Sequence, residues 1–394
     1  MSSTYLGYMR SRALVSRDSL RSHLKHYPKG NTKGKIVMSL LSTLARMIDN
    51  NSQNYVQFDI PPEQVKNVKY NPRPIAAGSG YFRVWAVEIR INKDTWLVTH
   101  YPVLHSVVGF DYAGKRIELT RVTSLESLKT STKGNFEMGK VVALNFLLTD
   151  LVPFSGGTVE ISAGLLAMKE KDRIQEAIKI VTDFSSLLAV PQLAAALSIV
   201  QPLANNVEHL VGFGDNQFRL GYHNTFTSAQ GGGSNDLRPQ YIAIIAPRPD
   251  DQVLRTGVDH WVDKDHLYYI DPDPEAPNKT RDIPCDYILL RLEVRRSRYT
   301  EWNNLTDLNE SFMEAKRWLP KDREKADEQL SILISKVLTS PDIAENDRTK
   351  IVETVRDKYN DYVKVLNARP EPLGIGDESE EVETLADALA DVDL

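Results

Sequence analysis

Apolar residues near the start of the chain recur with the spacing of an α-helix. Between residues 35 and 48 they fall three or four positions apart, and the Asn50-Asn51-Ser52 run ends the pattern. The residues that form this apolar face are Val37, Leu40, Leu41, Leu44, Met47 and Ile48. The pattern predicts one amphipathic helix, followed by an irregular proline-containing segment that ends near residue 76.

Beyond residue 76 the apolar spacing changes from the period of a helix to that of a strand. In residues 81–91, four apolar residues are expected to share a buried face, with Glu88 and Arg90 on the other face. These four are Trp85, Val87, Ile89 and Ile91. Further alternating or apolar segments occur at 142–149, 158–163, 241–246 and 285–295. With shorter segments between them, about eight strands are predicted, enough for a sandwich of two antiparallel sheets.

Two helical patterns complete the predicted fold. Residues 171–213 contain two apolar stripes separated by Pro191, which favours a helical hairpin inserted between strands. Stripes at 326–337 and 351–366 predict a small helical unit near the C-terminus. Because helices do not alternate with strands, the predicted class is α+β and not a doubly wound α/β fold.

These patterns divide the chain into four predicted parts. Residues 1–75 form a basic helical arm, and residues 76–298 form the β-sandwich with the inserted hairpin. Residues 299–369 form the helical unit, and residues 370–394 form an acidic tail rich in charge that we expect to be mobile.

The charge of the chain is concentrated at its two ends. The formal net charge is only -5, but residues 1–49 carry nine Lys or Arg against two acids, a net +7. Residues 371–394 carry nine Asp or Glu and no base. In the arm, four arginines close to tyrosines could contact nucleic acid or an anionic membrane, or could pair with the acidic tail: Arg10, Arg12, Arg17 and Arg21.

The acidic tail carries the most informative functional pattern. Four aliphatic residues recur at helical spacing in a segment too charged to belong to a core: Val382, Leu385, Leu389 and Val392. Short acidic amphipathic segments of this form fold when they dock into a groove of another protein. The sequence therefore predicts a non-enzymatic scaffold, adaptor or regulatory component that binds a partner protein through its tail; an inert solubilising tail is the alternative.

A second functional hypothesis rests on the acids of residues 259–275. Five aspartates there could supply oxygen ligands to Ca²⁺: Asp259, Asp263, Asp265, Asp271 and Asp273. The segment lacks the glycine of an EF-hand loop, and its Asp-Pro repeats are also typical of solvated turns. The prediction is thus no cofactor, with a calcium- or membrane-responsive sandwich module as the alternative.

Motifs for catalysis are absent from the sequence. The single cysteine, Cys285, begins an apolar strand, as buried packing cysteines do. Neither a nucleophile elbow nor a complete phosphate-binding loop occurs. An enzyme is therefore not favoured, although a hydrolase with a site scattered in sequence remains open.

The lone cysteine favours a cytoplasmic location for the protein. The longest apolar run, about 14 residues at 187–200, is shorter than the ~20 of a transmembrane helix.

Overall fold

A computed structural model describes residues 40–66, 72–90, 101–124, 141–168, 217–228, 235–249, 251–255, 260–271 and 279–368. These residues form a mixed α+β structure, as predicted, and its strand pairings are antiparallel except for β2 with β11, labelled below. The predicted hairpin at 171–213, the tail at 370–394 and the first 39 residues of the arm lie outside the described residues.

The described part of the chain contains fourteen strands and five α-helices. The strands are β1 Val56–Ile60, β2 Val65–Lys66, β3 Tyr81–Arg90, β4 Tyr101–Tyr112, β5 Lys115–Ser124, β6 Val141–Leu147, β7 Val152–Pro153, β8 Thr158–Met168, β9 Gln217–Thr227, β10 Gln240–Ala246, β11 His260–Asp263, β12 His266–Ile270, β13 Thr280–Asp282 and β14 Asp286–Arg295. The helices are α1 Leu40–Asn51, α2 Gln252–Arg255, α3 Thr306–Trp318, α4 Arg323–Thr339 and α5 Glu345–Asn367.

The strands form three sheets. The central sheet has the order β1-β10-β14-β3-β6, with β7 also pairing with β3. The outer sheet has the order β5-β4-β8-β9, and the small sheet has the order β13-β12-β11-β2. Strands far apart in sequence are therefore neighbours in the central sheet, so its pairing depends on long-range contacts.

The central sheet is buried on both faces. Along β10, Ile242 and Ile244 belong to a hydrophobic cluster shared with the outer sheet, whereas Tyr241, Ala243 and Ile245 belong to a second cluster shared with the small sheet. A strand covered on both sides needs apolar residues at consecutive positions. This requirement explains why β10 is an unbroken apolar run and does not alternate with polar residues.

Helix α1 packs on the face of the outer sheet that lies away from the central sheet. Its buried leucines and isoleucine approach glycines on three successive strands, β4, β8 and β9. A Cβ at Gly221 would lie 2.8 Å from Ile48 Cγ1, and one at Gly109 would lie 3.0 Å from Leu41 Cδ1. The missing side chains let the helix sit close to the sheet. The helix predicted over residues 35–48 is confirmed from Leu40 onward.

Strand β3 does not alternate as the sequence pattern predicts. Trp85 and Val87 lie on the face toward the small sheet, but a bulge between Ala86 and Glu88 shifts the register, and Ile89 faces the outer sheet. Glu88 is 3% exposed, so its expected place on a polar face was wrong. A bulge inserts one residue and reorients the side chains that follow it.

The helical unit of α3, α4 and α5 has a hydrophobic core of its own. Residues predicted as its stripes, including Leu333, Val337, Ile351 and Val355, are buried in a cluster that contains no residue of the three sheets. Asp322 caps α4 by accepting a hydrogen bond from the Lys325 amide at 3.1 Å. Among the helices that the structure describes, none has the length and apolarity needed to cross a membrane.

Candidate functional site

A buried carboxylate joins the small sheet to the central sheet. Glu88 on β3 accepts hydrogen bonds from His266 Nδ1 at 2.8 Å, the Leu267 amide at 2.9 Å and the Tyr287 hydroxyl at 2.7 Å. The other ring nitrogen of His266 lies 3.2 Å from Asp282 Oδ1. Since Glu88 is almost fully buried, these three donors replace the water that its carboxylate would otherwise bind.

The two carboxylates keep His266 protonated at neutral pH. The hydrogen bond to Glu88 is the main cause that raises the pKa of His266 from 6.5 to about 9, with burial acting in the opposite direction. A protonated ring donates from both nitrogens, so His266 bridges Glu88 on β3 and Asp282 on β13. The histidine thus ties strands of two sheets together.

We expect this bridge to make stability fall at alkaline pH. A histidine whose pKa is higher in the folded than in the unfolded state stabilises the folded protein. This contribution is fully present below about pH 6.5 and is lost as the pH rises through about 9. Because the His266 side chain is 39% exposed, solvent screening reduces the effect to the order of 1 kcal/mol. Urea unfolding from pH 6 to 10 should show this loss in the wild type but not in His266→Gln; equal pH profiles would contradict it.

A second polar cluster surrounds the turn between β11 and β12. Asp265 accepts hydrogen bonds from the Tyr241 hydroxyl at 2.6 Å and from Arg291 Nη1 at 2.8 Å. Lys264 and Asp265 both have positive φ, the conformation of a two-residue hairpin turn that glycine or asparagine usually fills. Burial and Asp265 raise the pKa of Tyr241 to about 12. The ion pair therefore holds a turn with an unfavourable backbone conformation against the central sheet.

The cations beside this turn are matched by carboxylates. The guanidinium groups of Arg83 and Arg291 lie 4.6 and 5.0 Å from the centre of the Trp85 ring. Glu293 accepts from Arg83 and from the Trp85 indole nitrogen, while Asp265 pairs with Arg291. Each of the two guanidinium groups is therefore paired with a carboxylate and also contacts the Trp85 ring.

The predicted calcium ligands are only partly described. Asp263 is the last residue of β11, Asp265 pairs with Arg291, and Asp271 pairs with Arg281. Asp259 and Asp273 lie outside the described residues. Within the ranges that the structure describes, no three His, Cys, Asp or Glu side chains are placed to hold a metal ion. Calcium binding by the 259–275 segment stays a prediction.

One serine and one histidine are arranged as a nucleophile and a base would be. Ser162 Oγ on β8 lies 2.7 Å from His223 Nδ1 on β9, on the face of the outer sheet that α1 covers. Burial lowers the pKa of His223, and the charge of Asp49 acts in the opposite direction. However, Ser162 is 0% exposed, so a substrate could not reach its hydroxyl without a rearrangement.

Burial raises the pKa of Cys285 to about 12, which disfavours a reactive thiolate there.

The helical unit is attached to the sheets through a joint of buried polar groups. Asp347, in the first turn of α5, has no exposed surface. Its carboxylate accepts hydrogen bonds from the Tyr81 hydroxyl at 3.0 Å, Ser297 Oγ at 2.5 Å and the Arg298 amide at 2.7 Å. The Tyr81 oxygen in turn accepts from the Ala344 amide at 3.0 Å. One carboxylate therefore connects α5 with β3 and with the segment that follows β14.

A second acid supports the same joint. Asp342 accepts a hydrogen bond from the Tyr112 hydroxyl at 2.6 Å, and the Asp342 carbonyl accepts from Arg298 Nη2 at 2.8 Å. Asn346 adds contacts with the backbone of Gly78 and Ser79. Since the hydrophobic clusters of the helical unit and the sheets are separate, we expect these polar contacts to contribute much of the attachment.

The described hydrogen bonds of the joint all lie at the N-terminal end of α5. The hydrogen bonds above involve the first turn of α5 or residues 342–344 before it. The helix has 23 residues, so at ~1.5 Å per residue its last turn lies about 34 Å from the joint. Residues 370–394 follow directly from that far end.

The residues predicted to bind partners are not among those that the structure describes. Val382, Leu385, Leu389 and Val392 lie outside the described residues, as do the arm residues Arg10, Arg12, Arg17 and Arg21. The joint and the Glu88 network were not predicted from the sequence. The one indication of such networks in the sequence was an acidic residue within an otherwise apolar segment, such as Glu88 between Val87 and Ile89.

Comparisons with known proteins give no relative for this chain: no protein-family model, curated protein or solved structure matches it. Its function must therefore be inferred from its own residues.

Proposed function

We propose that this protein is a non-enzymatic adaptor that captures a partner protein with its acidic C-terminal tail. The observation that carries the proposal is the polar joint at Asp347. It anchors α5 to the sheets at one end and leaves the other end, where the tail begins, about 34 Å away by the ~1.5 Å rise per residue. A helix held in this way would support a binding segment away from its joint with the sheets.

The chemistry of the tail defines the partner. Val382, Leu385, Leu389 and Val392 would share one face of a helix formed on binding, and nine acids lie around them between residues 371 and 394. The complementary surface is an apolar groove bordered by lysine or arginine. Such coupled folding and binding gives moderate affinity, which suits a regulatory component.

The proposal predicts that the aliphatic stripe, and not the charge of the tail, is essential for capture. Changing all four stripe residues to serine should weaken partner binding at least about 30-fold, because burying one leucine side chain stabilises by ~1.5–3 kcal/mol. The measurement is quantitative co-purification of tagged full-length protein, followed by titration of the recovered companion.

A matched variant controls for the sequence change itself. Serine at Thr384, Ala386, Ala388 and Ala390 alters four tail positions off the stripe and keeps every acid. This variant should bind its companion like the wild type. Equal companion recovery by the stripe variant and the wild type would refute the adaptor proposal.

A hydrolase is the second candidate function, and the Ser162–His223 pair is the observation that favours it. The chemistry would need Ser162 to become accessible, since it now has no exposed surface. We therefore place this function second. Labelling of Ser162 by a fluorophosphonate, absent in Ser162→Ala, would reverse that order.

We further propose the finer features of the predicted architecture and environment. The shared hydrophobic cluster supports a sandwich of the central and outer sheets, with residues 171–213 as its helical insertion. The lone cysteine supports the cytoplasm. A calcium- or membrane-responsive role of residues 259–275, and contact of the arm with nucleic acid or an anionic membrane, are the remaining alternatives.

A further inference from the structure

We infer that, without a partner, the acidic tail docks on the turn between α3 and α4 of its own helical unit. We call residues 316–325 the basic turn; they contain five Lys or Arg and two acids, a net charge of +3. The regulatory meaning of this docking rests on the proposed adaptor function, but the docking itself does not.

The basic turn offers cations that carboxylates do not already neutralise. Lys321 is exposed and makes no ion pair among the described residues. Lys325 Nζ lies 3.3 Å from the centre of the Trp318 ring, a contact that leaves its charge available. Arg317 and Arg323 do pair with Glu314 and Asp327, but both ion pairs are exposed and therefore weak.

The basic turn lies beside the end of α5 from which the tail starts. Lys316 Nζ donates a hydrogen bond to the Tyr362 hydroxyl at 2.8 Å, and the Phe312 and Tyr362 rings are 6.3 Å apart. Tyr362 is only six residues from the end of the described chain. The thirteen residues from 370 to 382 can span up to about 40 Å, so the stripe can return to the basic turn without strain.

The same end of the helical unit also provides apolar contacts. Trp318, Tyr362 and Leu366 are half-buried and pack at the edge of the helical core, and Val365 is 46% exposed. Aliphatic tail residues could cover these side chains while the acids between them approach Lys321 and Lys325. The tail contains both groups that this surface would bind, and it is attached next to it.

Docking of this kind would make the protein autoinhibited. A stripe held by the basic turn is not free for a partner, so a partner must compete with an intramolecular contact of high effective concentration. Weakening the basic turn should then increase partner affinity.

The first experiment locates the contact in purified full-length protein. A carbodiimide, which joins amines to carboxylates in direct contact, should link Lys321 or Lys325 to acids of residues 377–391, as read by mass spectrometry. The yield should fall at least about five-fold in 1 M NaCl, because the Debye length shrinks from ~8 Å to ~3 Å. Links from the tail only to other lysines would overturn the inference.

The second experiment tests the cations by hydrogen exchange of residues 381–392. The double variant Lys321→Glu with Lys325→Glu should raise the exchange rate of the tail amide hydrogens at least about three-fold. The reason is that attraction between the two lysines and the tail acids becomes repulsion. Glutamate at position 325 suits the third position of α4, so the helix should persist. Lys115→Glu with Arg356→Glu, at exposed sites elsewhere, is the matched control and should leave the rate unchanged.

The outcomes separate this inference from the adaptor function. If the tail exchanges equally fast in all variants, the docking is refuted even where a partner binds through the stripe. If the cross-links and exchange behave as expected but no partner needs the stripe, the docking stands and the adaptor function fails. Where both hold, the double lysine variant should bind its partner at least about three-fold more tightly, as release of a competing contact requires.

Discussion

Glu88→Ala should destabilise the protein by about 3–5 kcal/mol, because removing one member of a buried ionic network leaves its partners unpaired. The Tyr287 hydroxyl, the Leu267 amide and the protonated His266 would each lose their acceptor. The loss should appear in urea unfolding as a lower midpoint. Hydrogen exchange should quicken first in β11 and β12, the strands that Glu88 holds on the central sheet.

The control for this prediction is the other carboxylate of the same bridge. Asp282 also contacts His266, but its side chain is 65% exposed, so Asp282→Ala should cost no more than about 1 kcal/mol. If Glu88→Ala were as mild as Asp282→Ala, the network would not be what joins the two sheets.

Asp347→Ala should detach the helical unit without unfolding it. Three donors lose a fully buried acceptor, which costs about 3–5 kcal/mol when a charged partner is removed. Because the helical unit has a separate hydrophobic core, its helices should survive. We expect unfolding followed by circular dichroism to split into two transitions, with faster proteolysis near residues 296–306.

Asp361→Ala is the matched change within the same helix. Its carboxylate forms only an exposed ion pair with Lys364, so unfolding should remain as in the wild type, within about 0.5 kcal/mol. A single cooperative transition in Asp347→Ala, with unchanged proteolysis, would show that contacts other than the polar joint attach the helical unit.

The regular elements of this fold could be predicted from apolar spacing. The stripes at 326–337 and 351–366 are buried faces of α4 and α5, and the apolar runs at 241–246 and 285–295 are β10 and β14. In these segments burial on one or two faces imposes a regular period, which the sequence records directly.

The features that connect the elements could not be predicted in this way. The bulge at Val87 depends on how β3 pairs with its two neighbouring strands. It places Ile89 on the opposite face of the sheet from the one expected. The bonds from Glu88 to His266 and from Asp347 to Tyr81 join residues 178 and 266 positions apart. Local patterns contain no information about such pairs, because only the tertiary fold brings them together.

The two networks share a physical principle. Glu88 and Asp347 are each buried, each accept three hydrogen bonds, and each lie where one sheet or helical unit meets another. A buried carboxylate network adds little stability compared with well-packed apolar residues, but removing one of its members is costly because the other members are left unpaired. We therefore expect these acids to fix the relative placement of the parts that they join.

Competition by the tail itself tests the adaptor function most directly. A synthetic peptide of residues 371–394 should release the companion from immobilised full-length protein, and a peptide with serine at Val382, Leu385, Leu389 and Val392 should not. A companion that stays bound at saturating concentrations of the wild-type peptide, or that both peptides release equally, would contradict capture by the aliphatic stripe.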